Sequence, residues 1–195
     1  MAEKTGGICE KVIIAGFGGQ GILFAGKLLA RAAMEADLEV TYMPSYGAEV
    51  RGGTAKCAVI ISSDPIACPI VSESDSLIVM NGASLDKYAA KLKSKGLLIA
   101  NSSIVNCSEP HPQLDSSVET IAVAADEIAV ELGNPKAANM VVLGAYLGQK
   151  KLLSLDLVIR ILPNVLASRY HNTLADNTEA LRRGAKFAAT YQKCT

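Results

Sequence analysis

No two cysteines in this chain are spaced as C-x-x-C, although it has five, at positions 9, 57, 68, 107 and 194. Closely spaced thiolates are what iron–sulfur clusters and structural zinc sites are built from, so the sequence supports neither. With no secretory segment beside them, reduced thiols are the expected state, and the short polar stretch from Met1 to Gly7 reads as a frayed end. The chain also lacks an excess of either charge. Nineteen basic and nineteen acidic residues cancel, which removes the electrostatic footprint of a nucleic-acid or membrane-surface partner. No apolar run approaches the ~20 residues of a membrane-spanning helix. Histidine is scarce: His111 lies between two prolines, His171 follows Tyr170, and neither has a partner at metal-ligand spacing. No Ser-His-Asp set can be assembled. What remains is a chain of 195 residues, half of them hydrophobic, without repeat, low-complexity tract or linker, and a cytoplasmic location is the expectation. A single domain over 1–195 is expected.

What is present starts with glycine. Gly16-Phe17-Gly18-Gly19-Gln20-Gly21 stands between the apolar run Lys11–Ala15 and a helical stretch that begins near Ile22. This is G-x-G-x-x-G, a turn that brings a phosphate to a helix N-terminus. Gly16 suits the tight turn, Gly18 a close approach of ligand to backbone, and Gly21 close packing of helix on strand. Gln20 has two readings, a ligand contact in that anion site or a cap of its own helix. The rest of the dinucleotide signature is missing. An NAD site needs an acid at the end of the second strand to hold the ribose. Here that strand, Leu38-Glu39-Val40-Thr41-Tyr42-Met43, has Glu39 near its start and runs into Pro44-Ser45-Tyr46. NAD and NADP are therefore expected to bind poorly. The overlapping Gly21–Lys27 spacing of a P-loop is a coincidence, because bulky apolar residues fill it and Leu28 replaces the magnesium-binding hydroxyl.

Short apolar runs alternate with helical stretches in the first half, which predicts an α/β domain. Strands are expected at 11–16, 38–43, 54–61, 76–80, 97–100 and, more weakly, 118–123. The helix over 21–36 places Ile22, Ala25, Leu28, Leu29, Ala32 and Ala33 on one stripe, and Gly26 within it suggests close packing on a strand. Ser84 is the expected cap of a helix carrying Leu85, Tyr88, Ala89 and Leu92 inward, with Lys87, Lys91, Lys93 and Lys95 as a solvated face. The second and third strands are too close in sequence for a crossover helix, so a Rossmann-like, mixed and mostly parallel sheet is predicted, with a helical C-terminal part. There Asn134-Pro135 opens a helix that Gly148 ends, Ser154 caps another that Pro163 kinks, and a last helix spans about 173–190.

The densest polar stretch is Ser45-Tyr46-Gly47-Ala48-Glu49-Val50-Arg51-Gly52-Gly53-Thr54. It follows a strand, so it should emerge at the sheet edge beside the glycine turn. Arg51 next to Gly52 and Gly53 offers a guanidinium fork and open amides to a phosphate or carboxylate, and Ser45, Tyr46 and Glu49 add hydrogen-bonding groups. The alternative is a glycine-rich connection in which Arg51 and Glu49 pair locally or with another subunit. Cys57, in a strand pattern, reads as a small core residue.

The glycine turn, then Tyr46–Ala55, then Gly133-Asn134-Pro135-Lys136-Ala137-Ala138-Asn139-Met140 together resemble the gamma subunit of the 2-oxoacid:ferredoxin oxidoreductases. The resemblance covers nearly the whole chain, with the three motifs in order. It implies a complex that decarboxylates a 2-oxo acid on thiamine diphosphate with Mg, passes electrons through iron–sulfur clusters to ferredoxin, and releases acyl-CoA. It places thiamine on alpha and beta subunits and the clusters in a ferredoxin-like subunit or domain. The gamma part would pack against them, be non-catalytic, and help shape the coenzyme A region. The form of the second motif looks more like the 2-oxoglutarate and branched-chain types than the pyruvate type. The residues themselves lack both a cysteine cluster and the Gly-Asp-Gly diphosphate signature, so the chain alone is expected to be inactive and colourless. Two other readings stay open: a free-standing NAD-dependent enzyme, and a Rossmann-like small-ligand binding or regulatory domain without a redox partner.

Overall fold

The computed structural model describes residues 7–45 and 54–191. Its strands are β1 (Cys9–Phe17), β2 (Glu39–Ser45), β3 (Thr54–Ser62), β4 (Ser74–Val79), β5 (Leu92–Asn101) and β6 (Glu119–Val123). Its helices are α1 (Ile22–Glu35), α2 (Gly82–Tyr88), α3 (Ala125–Glu131), α4 (Ala138–Lys150), α5 (Leu155–Val165) and α6 (Leu174–Thr190). All six expected strands are present, in one sheet ordered β2-β3-β1-β4-β5-β6. Strands β1, β4, β5 and β6 run parallel, while β3 is antiparallel to both β1 and β2. The mixed sheet follows from chain length. Eight residues between β2 and β3 leave no room for the crossover that a parallel pair requires.

Alternation along the strands sends side chains to two cores. Val12, Ile14, Ile78 and Ile99 meet α1, α4, α5 and α6 on one face, whereas Ile13, Ala15, Leu77 and Leu98 meet α2 on the other. Helix α4 is buried on all sides from Ala138 to Leu147, held between the sheet and α6. It approaches α6 through glycines. A Cβ on Gly144 would meet the Leu181 carbonyl oxygen, and one on Gly184 that of Val141.

Several boundaries differ from the sequence reading. The cap of α2 is Asn81, whose Oδ1 accepts from the Ser84 amide at 2.8 Å, so Ser84 is the capped residue. Helix α2 ends at Tyr88, a 3-10 turn spans Ala89–Lys91, and Leu92 begins β5. Asn134 makes no capping side-chain bond. Pro135 starts a 3-10 turn, Pro135–Ala137, that leads into α4. Gly148 does not end that helix but passes against the Ala185 oxygen, with 2.6 Å left for a Cβ. The stop is Lys151, in the left-handed region at φ 52°. Ser154 caps α5 as expected, its Oγ accepting from the Leu157 amide at 3.1 Å. Pro163 lies in the last turn of α5, two residues before its end.

At the opposite edge from the strand C-termini, Glu10 ties three elements together. It accepts a hydrogen bond from Ser76 at 2.6 Å and pairs with Lys150 of α4 at 3.1 Å. The buried Tyr146 hydroxyl lies nearby, and burial first and the Glu10 charge second hold its proton on well above the usual phenol range.

Candidate functional site

The C-terminal ends of β1, β4, β5 and β6 lie along one sheet edge, where α/β folds bind ligands. The glycine motif begins inside β1, since Gly16 and Phe17 still pair with Ala55 and Thr54. Its glycines are needed for different reasons. A Cβ on Gly16 would sit 2.6 Å from Ile22 Cδ1, and Gly19 and Gly21 have φ of 92° and 72°, a region costly for other residues. Gly21 precedes α1, which has no side-chain cap and no acid in its first turn. The first amides of the helix and its positive dipole end are thus left for an external acceptor.

Gln20 does not cap its own helix, which has no side-chain cap. Its Oε1 accepts from the Phe17 amide at 2.7 Å and from Asn81 Nδ2 at 3.0 Å, bracketing the turn against the end of β4. Asn81 thereby serves two purposes, capping α2 and fixing Gln20. Asn139 is the second residue that sequence reasoning missed. It lies in α4, and its Nδ2 donates to the Gly21 carbonyl at 3.1 Å, leaving no space for a side chain at position 21. So the third motif docks on the first. Asn101, at the end of β5, is fully buried; its Oδ1 accepts from the Ala125 amide at 3.1 Å, while its Nδ2 has no partner among the described residues. The readable signal was positional, an Asn closing β5 and another just beyond β4.

A cavity of about 340 Å³ opens at the turn, walled by Gly18, Gly19, Gly21 and Ile22 on one side and by Ser45 and Ala55 on the other. Ser45 ends β2, and Thr54, which begins β3, pairs with Phe17. Both ends of the 46–53 connection therefore stand beside the glycine turn. Tyr46, Glu49, Arg51, Gly52 and Gly53 lie outside the described residues. Strand β2 is also stitched to α1, because the Tyr42 hydroxyl donates to the Leu23 carbonyl at 2.9 Å.

Topology also bears on the NAD reading. In a dinucleotide fold the second strand adjoins the first, and its end reaches the ribose. Here β3 separates β1 from β2. Cys57, beneath the first turn of α1, is buried, and burial pushes its thiol up to about 12. Of the histidines, His111 lies 3.1 Å from Asp86, and His171 Nε2 reaches the Pro163 and Leu166 carbonyls at 3.1 and 3.0 Å, closing the end of α5. Among the described residues no three His, Cys, Asp or Glu side chains converge as a metal site. None of the described helices is long and apolar enough to cross a membrane.

Comparison with known proteins extends this geometry. The family model described as pyruvate ferredoxin/flavodoxin oxidoreductase matches residues 11–187. The ketoisovalerate oxidoreductase subunit VorA of Methanothermobacter marburgensis is 37% identical over 137 residues, which are 70% of this chain and 28% of that protein. The 2-oxoglutarate synthase subunit KorC of Methanocaldococcus jannaschii is 36% identical over 140 residues, 70% of this chain and 72% of that one. The chain thus spans little more than a quarter of the first relative and most of the second. Among solved structures, the gamma subunit of a keto/oxoacid ferredoxin oxidoreductase from Geobacter sulfurreducens PCA superposes with a TM-score of 0.78 at 27% identity, covering 93% of this chain and 99% of that one. A 2-oxoglutarate:ferredoxin oxidoreductase from Magnetococcus marinus, with 2-oxoglutarate, coenzyme A and succinyl-CoA bound, gives 0.83 at 26% identity, covering 95% and 32%.

Proposed function

The chain belongs to the pyruvate ferredoxin/flavodoxin oxidoreductase family, and from that premise we propose that it is the gamma subunit of a 2-oxoacid:ferredoxin oxidoreductase. The observation that carries this reading is the near end-to-end match to a gamma subunit, 99% of which is covered by this chain. In the assembled enzyme a 2-oxo acid would be oxidatively decarboxylated to acyl-CoA with reduction of ferredoxin. A 2-oxoglutarate or branched-chain substrate is favoured, in keeping with the names of the relatives. Thiamine diphosphate with Mg and the iron–sulfur clusters would reside in alpha, beta and ferredoxin-like partners, in the cytoplasm.

This chain's own part would be positional. The glycine turn, bracketed by Gln20, Asn81 and Asn139, presents uncapped amides to the cavity beside Ser45. An acceptor group of coenzyme A or of a partner's backbone suits such amides. The segment from Ser45 to Thr54 would face the same ligand or partner, with Arg51 as its most sensitive residue.

Reconstitution tests the reading. The chain alone should neither reduce viologen with an oxo acid and coenzyme A nor absorb in the visible. Added to its alpha, beta and ferredoxin-like partners, it should complete an active assembly. Activity of the lone chain, or full coenzyme A-dependent activity of the partners without it, would overturn the proposal. In that assembly Arg51→Ala should weaken subunit assembly or raise the apparent KM for coenzyme A roughly tenfold to a hundredfold, the worth of one charge-assisted hydrogen bond.

A further inference from the structure

The long connection from β5 to β6 is tied to both of its neighbours. Towards α2, His111 Nε2 lies 3.1 Å from the Asp86 carboxylate. The Gln113 amide donates to Nδ1 of the same ring at 3.3 Å, so Nε2 carries the proton and donates to Asp86. Towards β5, Ser94 Oγ donates to Asp115 at 3.2 Å and the Lys95 amide donates to Ser117 Oγ at 2.9 Å. The space that the connection shares with α2 and β5 is nevertheless a cavity of about 610 Å³. Small-molecule sites span about 300–1,000 Å³. Leu85 of α2 and Leu98 of β5 line it from the core side, and Leu114 and Val118 line it from the connection.

Two properties of the lining point to an occupant. Cys107, Leu114 and Val118 are only partly covered by the core beneath them. A tethered segment that keeps apolar surface open to water gives up free energy, and an apolar occupant returns it. The charged part of the lining has one sign. Glu109 and Asp115 are there, and among the described residues that line the cavity there is no lysine or arginine. Asp115 keeps its charge, since the Ser117 hydroxyl and amide, then Ser94, hold its carboxyl below the usual range. Such a site repels phosphates and carboxylates and attracts a cation.

We propose that this cavity binds a small organic amine, with its apolar body against Leu85, Leu98, Leu114 and Val118 and its ammonium group towards Glu109 and Asp115. A bare metal ion would leave the apolar lining unused. A cavity of this size holds one compact molecule, whereas a protein partner binds through a surface on the order of 800 Å² per side. The cavity shares no lining residue with the glycine turn, so the proposal stands apart from the activity above.

The probe is 1-naphthylmethylamine, titrated into the full chain at constant pH and ionic strength while NMR follows the methyl signals of Leu85, Leu98, Leu114 and Val118. These should shift saturably with one common Kd, and Val158 and Leu162, in the other core, should not move. Bound amine should also slow alkylation of Cys107 while exposed Cys68 reacts as before. The anion of the same ring body, 1-naphthoate, should bind roughly tenfold more weakly or worse. Glu109→Gln should weaken amine binding about two- to fivefold, the worth of an exposed ion pair. Val118→Phe should abolish it by filling the space, and Glu109→Gln carries the test if that variant fails to fold. Absence of saturation at millimolar amine, equal affinity for 1-naphthoate, or an unchanged Kd in Glu109→Gln would each overturn the site. Tri-lysine binding as tightly as the amine would overturn it too, in favour of a basic protein segment.

Discussion

Gly144→Ala should destabilise the chain even though alanine is the better helix former. Gly144 lies mid-way along α4, where the added methyl would run into the Leu181 carbonyl oxygen and lie 2.9 Å from the Leu181 Cα. The obstacle is backbone, so no side-chain rotamer relieves it and α4 and α6 must part. Ordinary van der Waals separation is about 3.5 Å or more, so the required shift is on the order of 1 Å. Forced overpacking in a tight core costs about 1–3 kcal/mol, and a helix–helix contact through backbone belongs at the upper end. The gain in helix propensity returns about 1 kcal/mol. The net loss is about 2 kcal/mol, a fall in Tm of roughly 4–8 °C for a chain of this length. Thermal and urea denaturation of the purified chain read this directly. Gly82→Ala is the internal control, because a Cβ there meets nothing within 4 Å and should leave stability near wild type. Gly184 presses on the Val141 oxygen from the other helix, so the double variant Gly144→Ala/Gly184→Ala should cost less than the sum of the singles, one separation serving both. A Gly144→Ala chain as stable as wild type, or more so, would show that α4 and α6 do not meet at these glycines and would refute the packing argument.

Three further outcomes follow from the buried polar groups. Cys57 should resist iodoacetamide in the folded chain at pH 8 while exposed Cys68 is alkylated, and mass spectrometry should find Cys57 modified only in denaturant. Its folded pKa of about 12 against about 9 unfolded means that the unfolded chain loses the proton first. Stability should therefore fall as pH rises from about 9 to about 12, and Cys57→Ala should flatten that slope by one proton. Glu10→Ala removes the acceptor of Ser76 and the partner of Lys150, and urea unfolding should show a loss of about 1–3 kcal/mol; Glu10→Gln, which keeps an acceptor for Ser76, should lose less. Asn139→Ala should cost about 1 kcal/mol and speed hydrogen exchange at the Ala25 amide, which shares the Gly21 carbonyl; unchanged exchange would mean that Asn139 does not hold the turn.

Much of the fold was legible along the chain because its signals are local. Short apolar runs marked six strands, the short β2–β3 connection set an antiparallel pair, and Gly26 in α1 signalled a close approach that the structure assigns to Cys57 and Tyr42. The errors fell at helix ends. Ser84 and Gly148 are good residues for the cap and stop assigned to them, yet Asn81 caps α2 and Gly148 serves contact with α6. A glycine that stops a helix and one that admits a neighbour look alike in sequence, and only the position of the second helix separates them.

The candidate site divides in the same way. The sequence by itself determined that a phosphate-type glycine turn opens α1, that no acid closes β2, and that a polar segment joins β2 to β3. Each of these depends on residues a few positions apart. Tertiary structure decided what each group is free to do. Gln20 is held by Phe17 and Asn81, Asn139 arrives at Gly21 from α4, and β3 inserts between β1 and β2. Lys56 reaches from a strand to stand with Lys87 of α2 over the ring of Tyr88. Hydrogen bonds and ion pairs act over a few ångströms of space, and several of the residues that make them here are far apart along the chain, 61 positions for Gln20 with Asn81 and 118 for Asn139 with Gly21. Folding alone brings such pairs within range.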